Sequence, residues 1–244
     1  MDIRETKRSW GYSDTRHRIV PLNEKKSEGQ HGVGIATTFA FNGKRFGKDR
    51  SVRANVPFPS SFYVAVFKQR VQGASGKEEL FVYRIGATSS GYFEISIADP
   101  ISRPSPHETR NGRVQMTAIG LVRSNFPLVG KQPGWALPSF GYHGDNGKLY
   151  SAFPWKPFGP RFGVSDTVGC GIRRSTHNQQ VFFTHNGNDI TSPYLPGAGC
   201  YIPCDKGHEW FPAVGLDSPN TIHVNFGQQP FKHDHLIGKL CIHV

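Results

Sequence analysis

The chain has 244 residues, of which 36 % are hydrophobic and 12 % aromatic, with 28 Gly and 18 Pro; it is long enough for one large all-β domain or two small ones with a real core. Formal net charge is +11, from 29 Lys and Arg against 18 Asp and Glu, which admits nucleic acid, acidic proteins or anionic membranes as contacts. No apolar run approaches the roughly 18 residues of a membrane helix, so a spanning helix is excluded, and the charged start Met1–Arg8 lacks the apolar core of a secretory signal.

Residues 1–34 are mostly polar and charged, with Trp10, Tyr12, Ile19 and Val20 as the exceptions, and read as a flexible basic arm ahead of one domain over 35–244. From there the pattern is strands. Thr38–Phe41 runs into Asn42-Gly43, the first of several Asn-Gly pairs, and each is a hairpin signal where apolar residues alternate on both sides. Ser51–Ala54 follows, then Phe62–Phe67 and Leu80–Tyr83, separated by Gly73–Gly76, which read as a hairpin inserted over about 60–90.

Phe93, Ile95 and Ile97 share one face of a strand, and a Pro-rich loop covers Asp99–Gly112. Met116–Val122 is apolar throughout, as a strand buried on both faces would be. Pro133-Gly134 breaks the chain before Trp135. Phe140 and Tyr142 then alternate with Gly141 and His143, and Asp145-Asn146-Gly147 reads as a tight primed turn, because those residues tolerate positive φ. Val168, Cys170 and Ile172 fall on one face, opposite Gly169 and Gly171, where something bulky can pack close. Thr191–Gly207 is a loop, and Ile222, Val224 and Phe226 give a last alternation. Two antiparallel sheets packed face to face satisfy this pattern: an all-β, two-sheet antiparallel β-sandwich.

The chemical constellations do not converge on a catalyst. Cys170 has no basic neighbour to lower its pKa and reads as a small apolar core thiol. His143 with Asp145 is an isolated pair in a turn sequence that favours Asp for backbone reasons. Cys200, Cys204 and His208 have a weak zinc spacing whose fourth ligand, Cys241 or His243, lies far along the chain. The pair His233 and His235 reads as part of a solvated tail. No enzyme, cofactor or metal is therefore expected. Four Cys without framework spacing and no glycosylation sequon lead to the expectation of a reducing, intracellular compartment, cytoplasmic or nuclear.

A set of blocks carries a resemblance. Pro133-Gly134-Trp135 and Tyr142–Lys148 sit between Tyr92–Ile97 upstream and Asp166–Ile172 downstream; Phe182–Gly187, Phe211–Leu216 and Asn225–Phe231 follow. In order and spacing these resemble the SPRY domain family over residues 92–231. The resemblance implies a β-sandwich of jelly-roll or lectin-like architecture, without chemistry of its own, that binds a protein or short peptide through loops at one end. It also admits a part as substrate receptor or scaffold in a ubiquitin-ligase-type complex, with the ligase supplied by a separate partner.

Three loops resemble those forming the peptide site of SPRY proteins with a SOCS box: Asn42, Lys44, Arg45 and Phe46; Trp135 and Leu137; and Asp217, Ser218, Pro219 and Asn220. Trp135 is open to either of two readings, core or binding surface. Two other functions stand beside protein binding: an RNA- or acidic-ligand module drawing on the +11 charge, and a carbohydrate-binding lectin-like domain. The sequence does not fix an oligomeric state, and no membrane partner is expected.

Overall fold

The computed structural model describes residues 19–21, 38–41, 49–58, 63–72, 79–88, 91–100, 116–151, 156–174, 179–191, 201–202, 208–227, 229–233 and 237–243. Among these every regular element is a strand. In chain order they are β1 (Ile19–Pro21), β2 (Thr38–Phe41), β3 (Arg50–Arg53), β4 (Tyr63–Gln72), β5 (Glu79–Thr88), β6 (Gly91–Ala98), β7 (Met116–Val122), β8 (Ser139–His143) and β9 (Lys148–Tyr150). They continue as β10 (Lys156–Pro157), β11 (Thr167–Arg174), β12 (Gln179–His185), β13 (Asn188–Asp189), β14 (Tyr201–Ile202), β15 (Phe211–Asp217), β16 (Thr221–Asn225) and β17 (Ile237–His243). Every recorded pairing is antiparallel. The chain gathers into two compact units.

The first unit comprises Met1–Pro57, Ser96–Asp166 and Trp210–Val224. Its main sheet runs β10-β9-β8-β7-β15-β3. The register lines up Gly141, Gly120, Ala213 and Arg53 in one row across the sheet, and His143, Ala118, Gly215 and Ser51 in the next. These alternate with Tyr142, Ile119, Val214 and Val52, all buried, on the opposite face. One face is thus large and apolar, and the other, apart from His143 and Arg53 on the outer strands, is made of small residues. Within the stretch read as a flexible arm, β1 pairs with β2, which also pairs with β16.

The small face is covered by the chain itself. After β7 a strap, residues 126–138, returns across the sheet to the start of β8. It begins along the outer edge of β3: Ser51 N–H donates to the Leu128 carbonyl at 2.9 Å, and Gly130 N–H donates to the Asp49 carbonyl at 2.8 Å. The Ser51 hydroxyl then holds the Lys131 carbonyl at 2.8 Å. Gln132 and Pro133 pass so close to the sheet that a Cβ on Gly215 would lie 1.7 Å from Gln132 Oε1. A Cβ on Gly141 would lie 1.9 Å from the Pro133 carbonyl oxygen. Leu128 and Ala136 pack against a cluster of Val122, Phe126, Phe211 and Ala213. Because the strap covers the second face, every residue of β7 is buried, as its unbroken apolar run requires.

The second unit comprises Phe58–Ile95, Thr167–Glu209 and Asn225–Val244. In it β6, β11, β12 and β13 lie side by side. Cys170 is buried and in no disulfide, and the glycines opposite it admit bulk: Tyr92 lies against Gly169 and the Phe182 ring against Gly171. The Tyr92 hydroxyl donates to Glu94 at 2.9 Å and accepts from Thr184 at 2.7 Å. Glu94 in turn accepts the Lys232 and His233 backbone N–H groups at 3.0 and 2.9 Å, which ties that segment to β6. The residues read as an inserted hairpin are β4 and β5, paired from Tyr63↔Thr88 to Gln72↔Glu79. A strand not foreseen, β17, adds to the other edge of β5 with an irregularity between Ile237 and Leu240.

Two turns differ in kind. Asn186 and Gly187 both have positive φ, 49° and 88°, the primed two-residue turn expected of Asn-Gly. At Asp145–Gly147 only Gly147 does, at 68°, and its N–H reaches back to the His143 carbonyl at 2.9 Å, so this is a longer turn and not the primed type read from the sequence. The Asn-Gly pairs at 42 and 111, and Cys200 and Cys204, lie outside the described residues.

The strap sets a test. Gly141→Ala should cost about 1–3 kcal/mol, because its methyl meets backbone that cannot move aside without lifting the strap. Gly163→Ala, where a Cβ would find nothing within 4 Å, should leave the melting temperature unchanged. Equal melting curves for the two variants would mean the strap does not press on the sheet.

Candidate interaction surface

Where the strap turns back toward β8, Gly134 takes φ of 92° and its N–H donates to Ser139 Oγ at 2.9 Å. The Ser139 hydroxyl donates to the Ala136 carbonyl, so one side chain closes the bend from both sides. His143 locks it from below. Its Nε2–H donates to the Pro133 carbonyl at 2.8 Å, which leaves Nδ1 as the bare lone pair, without a hydrogen-bond partner among the described residues. The imidazole lies 4.2 Å from the Tyr150 ring and 5.7 Å from the Trp135 ring, with Tyr150 and Trp135 edge-on at 6.4 Å.

This geometry fixes the charge state of His143. Burial strips the imidazolium of its hydration and lowers its pKa to about 4, against the opposing pull of the Pro133 carbonyl and of the Asp49 charge. A neutral, buried imidazole engaged on the backbone clamps the Pro133 carbonyl in place. At Asp145 burial raises the pKa, opposed by the Asp145 and Asn146 N–H groups and by Arg161 and Lys148.

The outer side of the strap is apolar. Val129 is 50 % exposed, Trp135 38 % and Leu137 59 %. Lys131 is exposed between them. Trp135 is therefore neither simply core nor simply surface: one flank rests on the His143–Tyr150 pair and the rest faces outward.

The other residues named from the sequence are distributed as follows. Ser218 and Asn220 are buried, while Asp217 and Pro219 are half-buried. Asp217 pairs with Met116 at one end of β15, whereas Ser139, the end of the strap, aligns with Val122 and Phe211 at the other. Asn42, Lys44, Arg45 and Phe46 lie outside the described residues. Missed entirely were Arg53 and Arg123, whose guanidiniums lie 4.3 Å over the Phe211 ring and 3.8 Å over the Trp210 ring. The only signal was the adjacency of Trp210 and Phe211 at a strand start, since cation–π pairing needs the register to be known.

A family model described as the SPRY domain matches residues 92–229, more than half of the chain. The chain belongs to the SPRY domain family. Its fold class, an antiparallel all-β sandwich, is the one the blocks from Tyr92 to Phe231 implied. Among curated proteins, the Ran-binding protein M homolog of Arabidopsis thaliana is 37 % identical over 145 residues, covering 59 % of this chain and 26 % of that protein. The SPRY domain-containing protein 3 of Homo sapiens is 34 % identical over 151 residues, covering 60 % and 30 %. The matched stretch is thus roughly a quarter to a third of those relatives' length. A solved human SPRY domain overlays with a TM-score of 0.47 at 25 % identity, covering 82 % of this chain and 98 % of that one. In this SPRY chain the strap, β8, β9 and the Asp217–Asn220 turn fall inside the matched stretch, whereas β3, β4, β5 and β17 fall outside it. Among the described residues no group of side chains is arranged to hold a metal, and no helix is long and apolar enough to cross a membrane.

The clamp predicts a pH dependence. The folded pKa of about 4 lies below the ordinary 6.5, so between those values the folded chain binds fewer protons than the unfolded one. The stability this carries is complete above the unfolded pKa and is lost as pH falls toward 4, on the order of 3 kcal/mol in all. His143→Gln keeps a donor without the titration. Urea midpoints from pH 7 to 4.5 should therefore fall less steeply for the variant than for the parent. Parallel slopes would place the imidazole in contact with solvent.

Proposed function

We propose that this SPRY chain is a non-catalytic protein-interaction module that holds a protein or short extended peptide on the strap, with Trp135 and Leu137 as anchors. One observation carries the reading. Of the four large hydrophobic residues exposed among the described ones, Val129, Trp135 and Leu137 lie on one short segment, and Trp135 is held from behind by two rings. A partly exposed aromatic whose rotamer is already fixed is the kind of group that dominates binding energy, because little side-chain entropy is lost on contact. Asp217 and Pro219 form a second patch at the far end of β15, with Ser218 and Asn220 supporting the turn from beneath. Asn42, Lys44, Arg45 and Phe46 belong to the proposal on the order of the family's blocks alone.

A finer reading makes the chain a substrate receptor or scaffold in a ubiquitin-ligase-type complex in the cytoplasm or nucleus. It requires a separate partner that brings the ligase. The Arabidopsis relative carries Ran binding in its name, which makes purified Ran the first defined partner to try.

The test is capture of Ran, and of proteins from the native cell, on the immobilised chain. Leu137→Asp should reduce capture about tenfold or more, equivalent to about 1.4 kcal/mol, while the melting temperature stays within a degree because the side chain is mostly exposed. Asp217→Ala should cost about 1–2 kcal/mol of binding if its carboxylate is desolvated against the ligand. If both variants capture as the parent does, the surface lies elsewhere, and the β4–β5 hairpin is the next place to look.

A further inference from the structure

The three-stranded sheet β17-β5-β4, outside the stretch that matches the family, ends in a long and regular edge. β4 pairs with β5 without interruption from Tyr63↔Thr88 to Gln72↔Glu79, and among the described residues β5 is its one strand partner. In an antiparallel ladder alternate residues turn both N–H and C=O away from the neighbour, so the far side of β4 carries a row of donors and acceptors. Natural edges are closed to further pairing by shortness, proline, a bulge or charge. The opposite edge, β17, is seven residues long and its pairing with β5 is irregular between Ile237 and Leu240. β4 has ten residues, no proline and no break in register. What it carries is charge, Lys68 and Arg70, which turns away a basic strand and favours an acidic one.

The register says where that charge stands. Val64, Val66, Lys68 and Arg70 share one face, because successive residues of a strand alternate between faces. Across the ladder they are opposite Ala87, Ile85, Tyr83 and Phe81. The one acid of β5, Glu79, is opposite Gln72 and diagonal to Arg70, and neither β4 nor β17 contains Asp or Glu. Within this sheet Lys68 therefore has no carboxylate at an opposite or diagonal position. A strand laid beyond β4 is where one can be supplied, and directly opposed unlike charges are among the pairs that stabilise a sheet.

We infer that the outer edge of β4 takes up an extended acidic segment of a partner protein as a fourth, antiparallel strand, with carboxylates opposite Arg70 and Lys68 and apolar residues opposite Val66 and Val64. The affinity comes from continuing the backbone ladder, and the selectivity from the alternate side chains. The strap and its anchors take no part, so the inference stands apart from the reading given above. A second copy of this chain, paired edge to edge, brings no acid to the cations, since β4 contains none. A nucleic acid has no amide groups with which to continue the ladder.

The probe is the end-blocked peptide Glu-Thr-Glu-Thr-Val-Thr-Val, added to the purified whole chain at physiological salt and followed by hydrogen exchange of single amides. The β4 amides that point away from β5 should exchange about tenfold or more slowly with saturating peptide, while those bonded to β5 stay as they were. Methylating the peptide nitrogens along one edge should abolish this protection and along the other leave it, since a strand is added by one edge only. A peptide with Lys in place of both Glu should bind about tenfold or more weakly, and the preference should reverse in the double variant Lys68→Glu, Arg70→Glu. A melting curve establishes that the variant is folded; if it is not, Lys68→Gln takes its place and should narrow the preference. Leu137→Asp should bind the peptide as the parent does. A preference that is absent, or unchanged in the folded variant, would overturn the acidic partner. Equal loss from methylation of either edge would overturn strand addition. Binding lost in Leu137→Asp would assign the peptide to the strap, ending this inference and supporting the other reading. No protection of β4 at about 1 mM peptide would end it too, and would leave the strap untouched.

Discussion

A length of backbone crosses one face of a β-sheet at contact distance, and much of the first unit follows from that. The crossing is allowed only where the rows beneath are nearly bare: Gly141 under Pro133, Gly215 under Gln132, with Ala118, Gly120, Ala213 and Ser51 completing the floor. A larger side chain in the path would lift the strap and uncover the second face of β7 and β15. The apolar character of those strands and the small residues between them thus serve the same end, a strand closed on both sides.

A segment held against small residues gains little from area alone, since a glycine offers few atoms to touch. The strap is held instead by directed contacts at its two ends. At β3 the links are backbone hydrogen bonds and the Ser51 hydroxyl; at the bend they are Ser139 and His143. His143 has a double function there. Its Nε2–H fixes the Pro133 carbonyl, and its ring with that of Tyr150 makes the bed on which Trp135 lies. Because the imidazole is deeply buried, only its neutral form is compatible with the closed strap.

How much of this could be read beforehand depended on whether the signal was local. Met116–Val122 announced a strand with two buried faces, and Gly169 and Gly171 announced close packing; both patterns lie within a few residues and both meet their partners in the structure. Asn186-Gly187 named its turn for the same reason. Asp145–Gly147 did not, because its geometry is set by the Gly147 N–H reaching the His143 carbonyl and by Phe158 and Gly159 donating to the Gly147 carbonyl, contacts that dipeptide preference does not contain. The strap resembled an ordinary loop: nothing in Leu128–Leu137 shows that Gly215, some eighty positions away, leaves room for it. The pairing of β17 with β5 and the two arginine–aromatic stacks were hidden in the same manner, each depending on a register between distant segments.

The separation of the Leu137 end of the strap from the Asp217–Asn220 turn constrains what could touch both. Phe211, beside which the strap ends, and Asp217, which opens the Asp217–Asn220 turn, are the first and last residues of β15. Seven residues of strand advance about 20 Å from first to last. A ligand that touches Leu137 and the Asp217 turn together must therefore be an extended segment of at least six or seven residues, or a folded surface of that reach. It must also run over the outer side of the strap, where Lys131 is the exposed charge. A shorter ligand is confined to one end. The Leu137 end offers it an apolar side chain, whereas the Asp217 end offers a turn with a proline.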